Sequence, residues 1–179
     1  MEHLDLPPIE LRFTGERRFE MANSGVSVAF HPDTQAGSRS IRTRMNGADV
    51  TAVQVNGKAA EALKAKLAAR IKAQKPLPGS EMAVRRFVEG LIAERPNYDA
   101  MHPALACSIR QRMPRLASIA SFLGAIESID FQGVGSQGWD VYDVQHERGT
   151  ARVRILLGSE RKLTGALFIA QNVPVLVGQ

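Results

Sequence analysis

The chain is poor in the residues that build cross-links and metal centres. Cys107 is its only cysteine, which excludes an internal disulfide and leaves the redox compartment open. His3, His31, His102 and His146 are scattered, with no pair at helical or hairpin spacing and no second cysteine, so no metal is expected. No apolar run approaches the roughly 20 residues a membrane-spanning helix needs. The opening "MEHLDLPPIE" is acidic and broken by prolines, unlike a signal peptide. A complete chain of this kind is expected in the cytoplasm; a fragment leaves the compartment unknown. G-x-S-x-G is missing, which excludes an α/β-hydrolase elbow.

What is present is an ordinary globular composition, 44% apolar over 179 residues. That is one domain, or a domain with an appendage. The formal charge of +5 is uneven: residues 1–79 hold 12 basic and 8 acidic side chains. The densest cluster, "LKAKLAARIKAQK", sets Lys64, Lys66, Arg70, Lys72 and Lys75 around an apolar stripe. The expected role is the solvated face of an amphipathic helix, and nucleic acid is not an expected partner.

Two styles of periodicity divide the chain. "IELRFTG", "RRFEM", "VSVAFH", "SIRTRM" and "ADVTAVQV" read as short strands, with Asn46-Gly47 as a hairpin turn. That turn places Arg44 opposite Asp49 and Thr43 opposite Val50. From Ala59 the spacing of Ala60, Leu63, Leu67 and Ile71 is helical, up to the boundary "KPLPGS". The expected organisation is a β-rich segment over 1–57, a linking helix and Pro/Gly linker over 58–79, and an α+β domain over 80–179.

In that last domain three helices are expected. Ser80 reads as an N-cap with Glu81 in the first turn, ahead of the stripe Val84, Phe87, Val88, Leu91 and Ile92. Pro103 begins a second helix, and Pro114 a third, with Leu116, Ile119, Ala120 and Leu123 buried and Gly124 as its C-terminal cap. After Gly124 the period falls to two. Four strands without intervening helices, "IESIDFQ", "WDVYDVQHE", "TARVRILL" and "KLTGALFIA", must form an antiparallel sheet.

"FQGVGSQGWDVYDVQHE" carries glycines at G-x-G-x-x-G spacing, but an alternating strand comes after them where a dinucleotide fingerprint needs a helix. Gly133, Gly135 and Gly138 are therefore expected to supply positive φ in a hairpin, and no cofactor is expected. A turn at Arg148-Gly149 sets Glu147 opposite Thr150 and His146 opposite Ala151. One face then carries Asp140, Tyr142, Val144 and His146 and meets the helices. The other carries Trp139, Val141 and Leu156, a partly apolar surface for a dimer or a partner, with Asp143 paired to Arg154.

From about Glu81 to Ile169 the chain resembles the nuclear-transport-factor-2-like superfamily, a cystatin-like cone of helices wrapped by a bent sheet. "LGAIESIDFQGVGSQGWDVYDVQHERG" and the upstream "KAKLAARIKAQKPLPGSEMAVRRFVEGLIAERPNYDAM" are similar to accessory domains attached to bacterial serine hydrolases of the β-lactamase-related kind. The resemblance implies an accessory role, a homo-oligomer or protein partner and, in many relatives, export. It carries no catalytic signature. "SERK", from Ser159 to Lys162, matches S-x-x-K but falls in a turn between strands, without the buried helix that the chemistry needs.

Enzymes of that superfamily place an acid, a Tyr or a His inside the cone. Asp140, Tyr142 and His146, with Tyr98, Asp99 and His102 from the helical side, are the candidates here. A buried acid with a raised pKa could abstract a proton beside a carbonyl while the phenol polarises it. The expected function is a non-catalytic binding module working through Trp139, Val141 and Leu156. The alternative is a pocket for a small hydrophobic ligand, or an isomerase or lyase, using Asp140 and Tyr142.

Overall fold

A computed structural model describes residues 10–21, 26–31, 39–45, 48–158 and 160–171. Asn46-Gly47, Ser159 and His3 lie outside the described residues. The protein is α+β, with three α-helices and two antiparallel sheets. It divides into two compact units between Lys66 and Leu67.

The first unit is a five-stranded meander. Its strands are β1 (Leu11–Gly15), β2 (Arg18–Met21), β3 (Ser27–His31), β4 (Ser40–Met45) and β5 (Ala48–Val53), paired in chain order. Thr43 faces Val50 and Arg44 faces Asp49, as the hairpin spacing predicts. The Arg44 guanidinium donates to Asp49 at 2.9 Å. None of the described residues of this unit is buried.

Helix α1 (Gly57–Ala73) comes next and buries none of its side chains, so its Leu63 and Leu67 stripe stays exposed. Two further α-helices, α2 (Ser80–Ile92) and α3 (Pro103–Leu123), flank a short 3₁₀ turn at Tyr98–Ala100. They pack on the second sheet, β6 (Ile126–Val134), β7 (Asp140–His146), β8 (Gly149–Leu157) and β9 (Leu163–Gln171), again ordered as in the chain. Leu91 from α2, Ile109 and Leu123 from α3, and Val144, Val153 and Ile155 from the sheet form a continuous buried core. Burial of such side chains is worth about 1.5–3 kcal/mol each.

Several local expectations are corrected. Pro114 does not restart a helix; it lies inside α3. It forfeits one backbone bond on the exposed side, while Ile109, Leu116, Ala117 and Ala120 stay buried on either side of it. Their shared burial outweighs the roughly 3 kcal/mol that an interior proline costs. Two α-helices and the 3₁₀ turn, rather than three helices, therefore accompany the second sheet. Gly79 in the left-handed region takes the N-cap position of α2, and Ser80 is its first residue. Ser80 turns inward instead, because a buried phenol, Tyr142, needs a polar partner there.

The β7–β8 turn is Glu147-Arg148, with His146 opposite Gly149 and Gln145 opposite Thr150. The slip of two residues preserves which side chains share a face, since that period is also two. It changes the partners. Asp143 meets Arg152 in a two-pronged pair at 2.8 and 3.0 Å, and Arg154 faces Val141 instead. The cause is remote: the Glu147 and Arg148 amides donate to Ala125 and Leu123 carbonyls at the end of α3. The Arg148 guanidinium also caps that end, donating to the Phe122 and Ser121 carbonyls. Of the three hairpin glycines, Gly133 and Gly138 have positive φ and Gly135 does not. The Gly135 N–H closes that turn on the Trp139 carbonyl at 2.9 Å.

Candidate functional site

Alternation along β7 turns Asp140, Tyr142 and His146 to the helix-covered face, where each is about 1% exposed. All three are held by specific partners. One Asp140 carboxylate oxygen accepts from Arg70 at 2.7 Å and the other from the Leu77 amide at 3.0 Å. Arg70 also donates to the Gly138 carbonyl at 2.9 Å. Gln74, one turn on, accepts from the Val134 amide at 2.9 Å and donates to the Val134 carbonyl at 3.0 Å. The last turn of α1 and the linker after it are thus clipped onto the β6–β7 hairpin by Arg70, Gln74 and Leu77. Arg70 does not belong to the solvated lysine face.

Tyr142 shares a buried hydrogen bond with Ser80 and packs edge-on against Phe131 at 5.3 Å. Burial pushes its pKa above the ordinary 10.0; the Ser80 hydrogen bond opposes the rise, the Asp140 and Glu81 charges add to it, and Arg70 lowers it. His146 donates through Nδ1 to the Gly124 carbonyl at 2.9 Å. A carbonyl can only accept, so Nδ1 carries a proton. Nε2 is buried without a polar partner among the described residues, and the ring stands edge-on to Phe168. His146 is therefore an interior strand-end residue rather than one in contact with solvent.

The helical-side candidates lie elsewhere. Tyr98 is half-buried, with the Arg110 guanidinium 4.2 Å over its ring. Asp99 is exposed. His102 is exposed and serves as the N-cap of α3, its Nδ1 accepting from the Ala104 amide at 3.4 Å. A groove of about 260 Å³ runs between α2, the 3₁₀ turn and the start of β9, lined by Met82, Phe87, Met101 and Leu163 with Arg86 and Arg161. Asp140, Tyr142 and His146 do not line it. The geometry therefore supplies an acid and a phenol already spent on backbone or side-chain partners, and an imidazole held through Nδ1 with Nε2 unpartnered among the described residues.

The opposite face of the second sheet is built differently. Trp139, Val141 and Leu156 are half-buried, and Leu167 and Ile169 on β9 are exposed. The indole lies over Gly165: a Cβ added there would sit 2.4 Å from the ring. The absence of a side chain at Gly165 is what lets the ring lie this close to β9. Arg154 stands opposite Val141 on one side and Leu167 on the other. Its Nε is buried and has no hydrogen-bond partner among the described residues.

No family model, curated protein or solved structure matches the chain. Among the described residues no helix is long and apolar enough to cross a membrane.

Periodicity could not mark Arg70, Ser80, Gln74 or Arg148 as structural anchors. Each acts on a residue more than 20 positions away. Leu167 and Ile169 were legible as outward residues of β9, since they follow from the same alternation as Val141 and Leu156.

Proposed function

We propose that the chain is a non-catalytic accessory module that binds a protein partner, or a further copy of itself, through the outer face of the second sheet. In this reading residues 80–171 form a nuclear-transport-factor-2-like cone, and Trp139, Val141 and Leu156 belong to the contact surface. The observation that carries it is the composition of that face. A tryptophan, exposed Leu167 and Ile169 and an arginine with an unpartnered Nε lie together, and Trp and Arg are the residues most often dominant at protein interfaces. The arginine favours a partner that presents a carbonyl or carboxylate to it. The interior supports the non-catalytic half of the reading, because Asp140, the best candidate base, has both oxygens occupied.

The test is amide hydrogen exchange on the assembled protein with and without Trp139→Glu. Protection of β8 and β9 amides in the assembly, lost in the variant, is the expected result. Identical exchange in both chains removes the reading. A discrete small molecule that leaves the native protein on Asp140→Asn would replace it with the pocket alternative.

A further inference from the structure

The first sheet has two faces of opposite character. Register places Leu11, Phe13, Phe19, Met21, Val28, Phe30, Ile41, Thr43, Val50 and Ala52 on one side. Its central residues carry no charge; Arg17 and Arg39 stand at one end, lining a hollow with Phe30, Ile41 and Ala52. The other holds Arg12, Arg18, Arg42 and Arg44, with Glu20 and Asp49. On the apolar side three aromatic rings run diagonally over β1, β2 and β3: Phe13 meets Phe19 at 5.3 Å, and Phe19 meets Phe30 at 5.5 Å. Yet Phe13 is 62% exposed and Phe30 44%. A sheet with one apolar face is half of a two-layer structure, and among the described residues no second layer covers it.

We propose that the second layer is the same sheet of another copy of the chain, so that two copies close a β-sandwich around the Phe13, Phe19 and Phe30 cluster. This surface is separate from the one around Trp139 and does not depend on it.

Three observations select a second copy. The charges of the face, Arg17 and Arg39, lie at one end, so a two-fold that turns this end toward the partner's Leu11 and Met21 end opposes no like charges, and antiparallel sheets pack face to face at about 10 Å. The reverse face would set arginines against arginines, which leaves a single productive orientation. The area also fits. With large aromatics worth roughly 150–250 Å² each and the exposures above, the face offers on the order of 500 Å² per copy. A pair then buries about 1,000 Å², the lower bound for a specific interface and the size of weak, reversible ones. A hollow of about 560 Å³ beside Phe30, Ile41 and Ala52 gives the partner's side chains room to interdigitate.

The experiment is the light-scattering mass of the whole chain across a dilution series, read together with amide exchange. Wild type should contain at least two chains at micromolar concentration, and the protection of β1–β5 amides should fall on dilution while that of β6 and β7 holds. Phe13→Glu should at least halve the mass. Arg42→Glu, on the other face of the same sheet, should leave it unchanged. Trp139→Glu should leave at least two chains together, which separates this contact from the one proposed above. A wild type that stays monomeric at about 100 µM overturns the proposal. So does a Phe13→Glu chain of unchanged mass, or an Arg42→Glu chain that dissociates equally, which would assign the effect to folding alone.

Discussion

In β3, Val28 and Phe30 alternate with Ser27, Ala29 and His31, much as Tyr142 and Val144 in β7 alternate with Val141 and Asp143. The register of both sheets is antiparallel throughout, and both are meanders. Yet Val144 is fully buried and Phe30 is 44% exposed. The difference lies in the cover each apolar face receives. α2 and α3 present Val84, Val88, Leu91, Ile109 and Leu123 to the second sheet, and nothing among the described residues does so for the first. Alternation therefore specifies that a face is to be covered; it does not supply the cover. Polar residues show the same contrast. Arg44 and Asp49 pair at the surface, whereas Arg70 is 20% exposed and its partner Asp140 1%.

The comparison can be broken most forcefully at those ion pairs. Arg70→Leu leaves the Asp140 carboxylate buried without its counter-charge and should cost about 3–5 kcal/mol. Arg44→Leu removes an exposed pair and should cost less than about 1 kcal/mol. Urea unfolding monitored by Trp139 fluorescence checks the first, and circular dichroism at strand wavelengths checks the second. Equal effects would mean that burial does not separate the two sheets.

Core truncation comes next. Leu91→Ala should destabilise the second unit by about 2–5 kcal/mol, since the residue is fully enclosed. Ile41→Ala, at a dilution where the chain is monomeric, should stay within about 0.5 kcal/mol. The same substitution at high concentration should lower the assembled mass instead, because there the side chain is under another copy.

A smaller effect distinguishes the sheets by pH. The folded pKa of Tyr142 is raised, so the folded state holds the phenol proton more tightly than the unfolded chain does. Its contribution is complete below the unfolded value of about 10 and is lost as pH rises from there through the folded pKa. Urea midpoints measured between about pH 8 and 11 should be level at first and then fall. Tyr142→Phe should flatten that fall, at the cost of stranding the Ser80 hydroxyl. A wild-type slope that survives the substitution would place the alkaline loss elsewhere.

The smallest expected effect is local. Gly165→Ala puts a methyl where the Trp139 ring lies, so the indole must swing off β9. Its emission should move to longer wavelength with little change in unfolding midpoint. Loss of partner or self-association in the same variant would tie the indole's position, rather than its presence, to the contact.

Much of this architecture is legible in the sequence. All nine strands, the start of α3 at Pro103 and its stop at Gly124 come from period, proline and glycine, which act within a few residues. So does the Arg44–Asp49 pair, because a two-residue turn dictates its nearest register. The inward set Asp140, Tyr142 and His146 was also readable, since a slip of two residues cannot exchange faces. Their working partners were not. Asp140 as a hairpin clamp depends on Arg70, and Tyr142 depends on Ser80, across more than 60 residues of chain in each case.

Local rules determined the elements and their faces, because backbone sterics and side-chain alternation need no distant information. Tertiary structure alone decided that Pro114 stays inside a helix, that Ser80 faces Tyr142, and that the β7–β8 turn closes at Glu147-Arg148. Each of those outcomes satisfies a buried group or a helix end whose partner arrives from elsewhere in the fold, and an unsatisfied polar group there costs more than a local preference can recover.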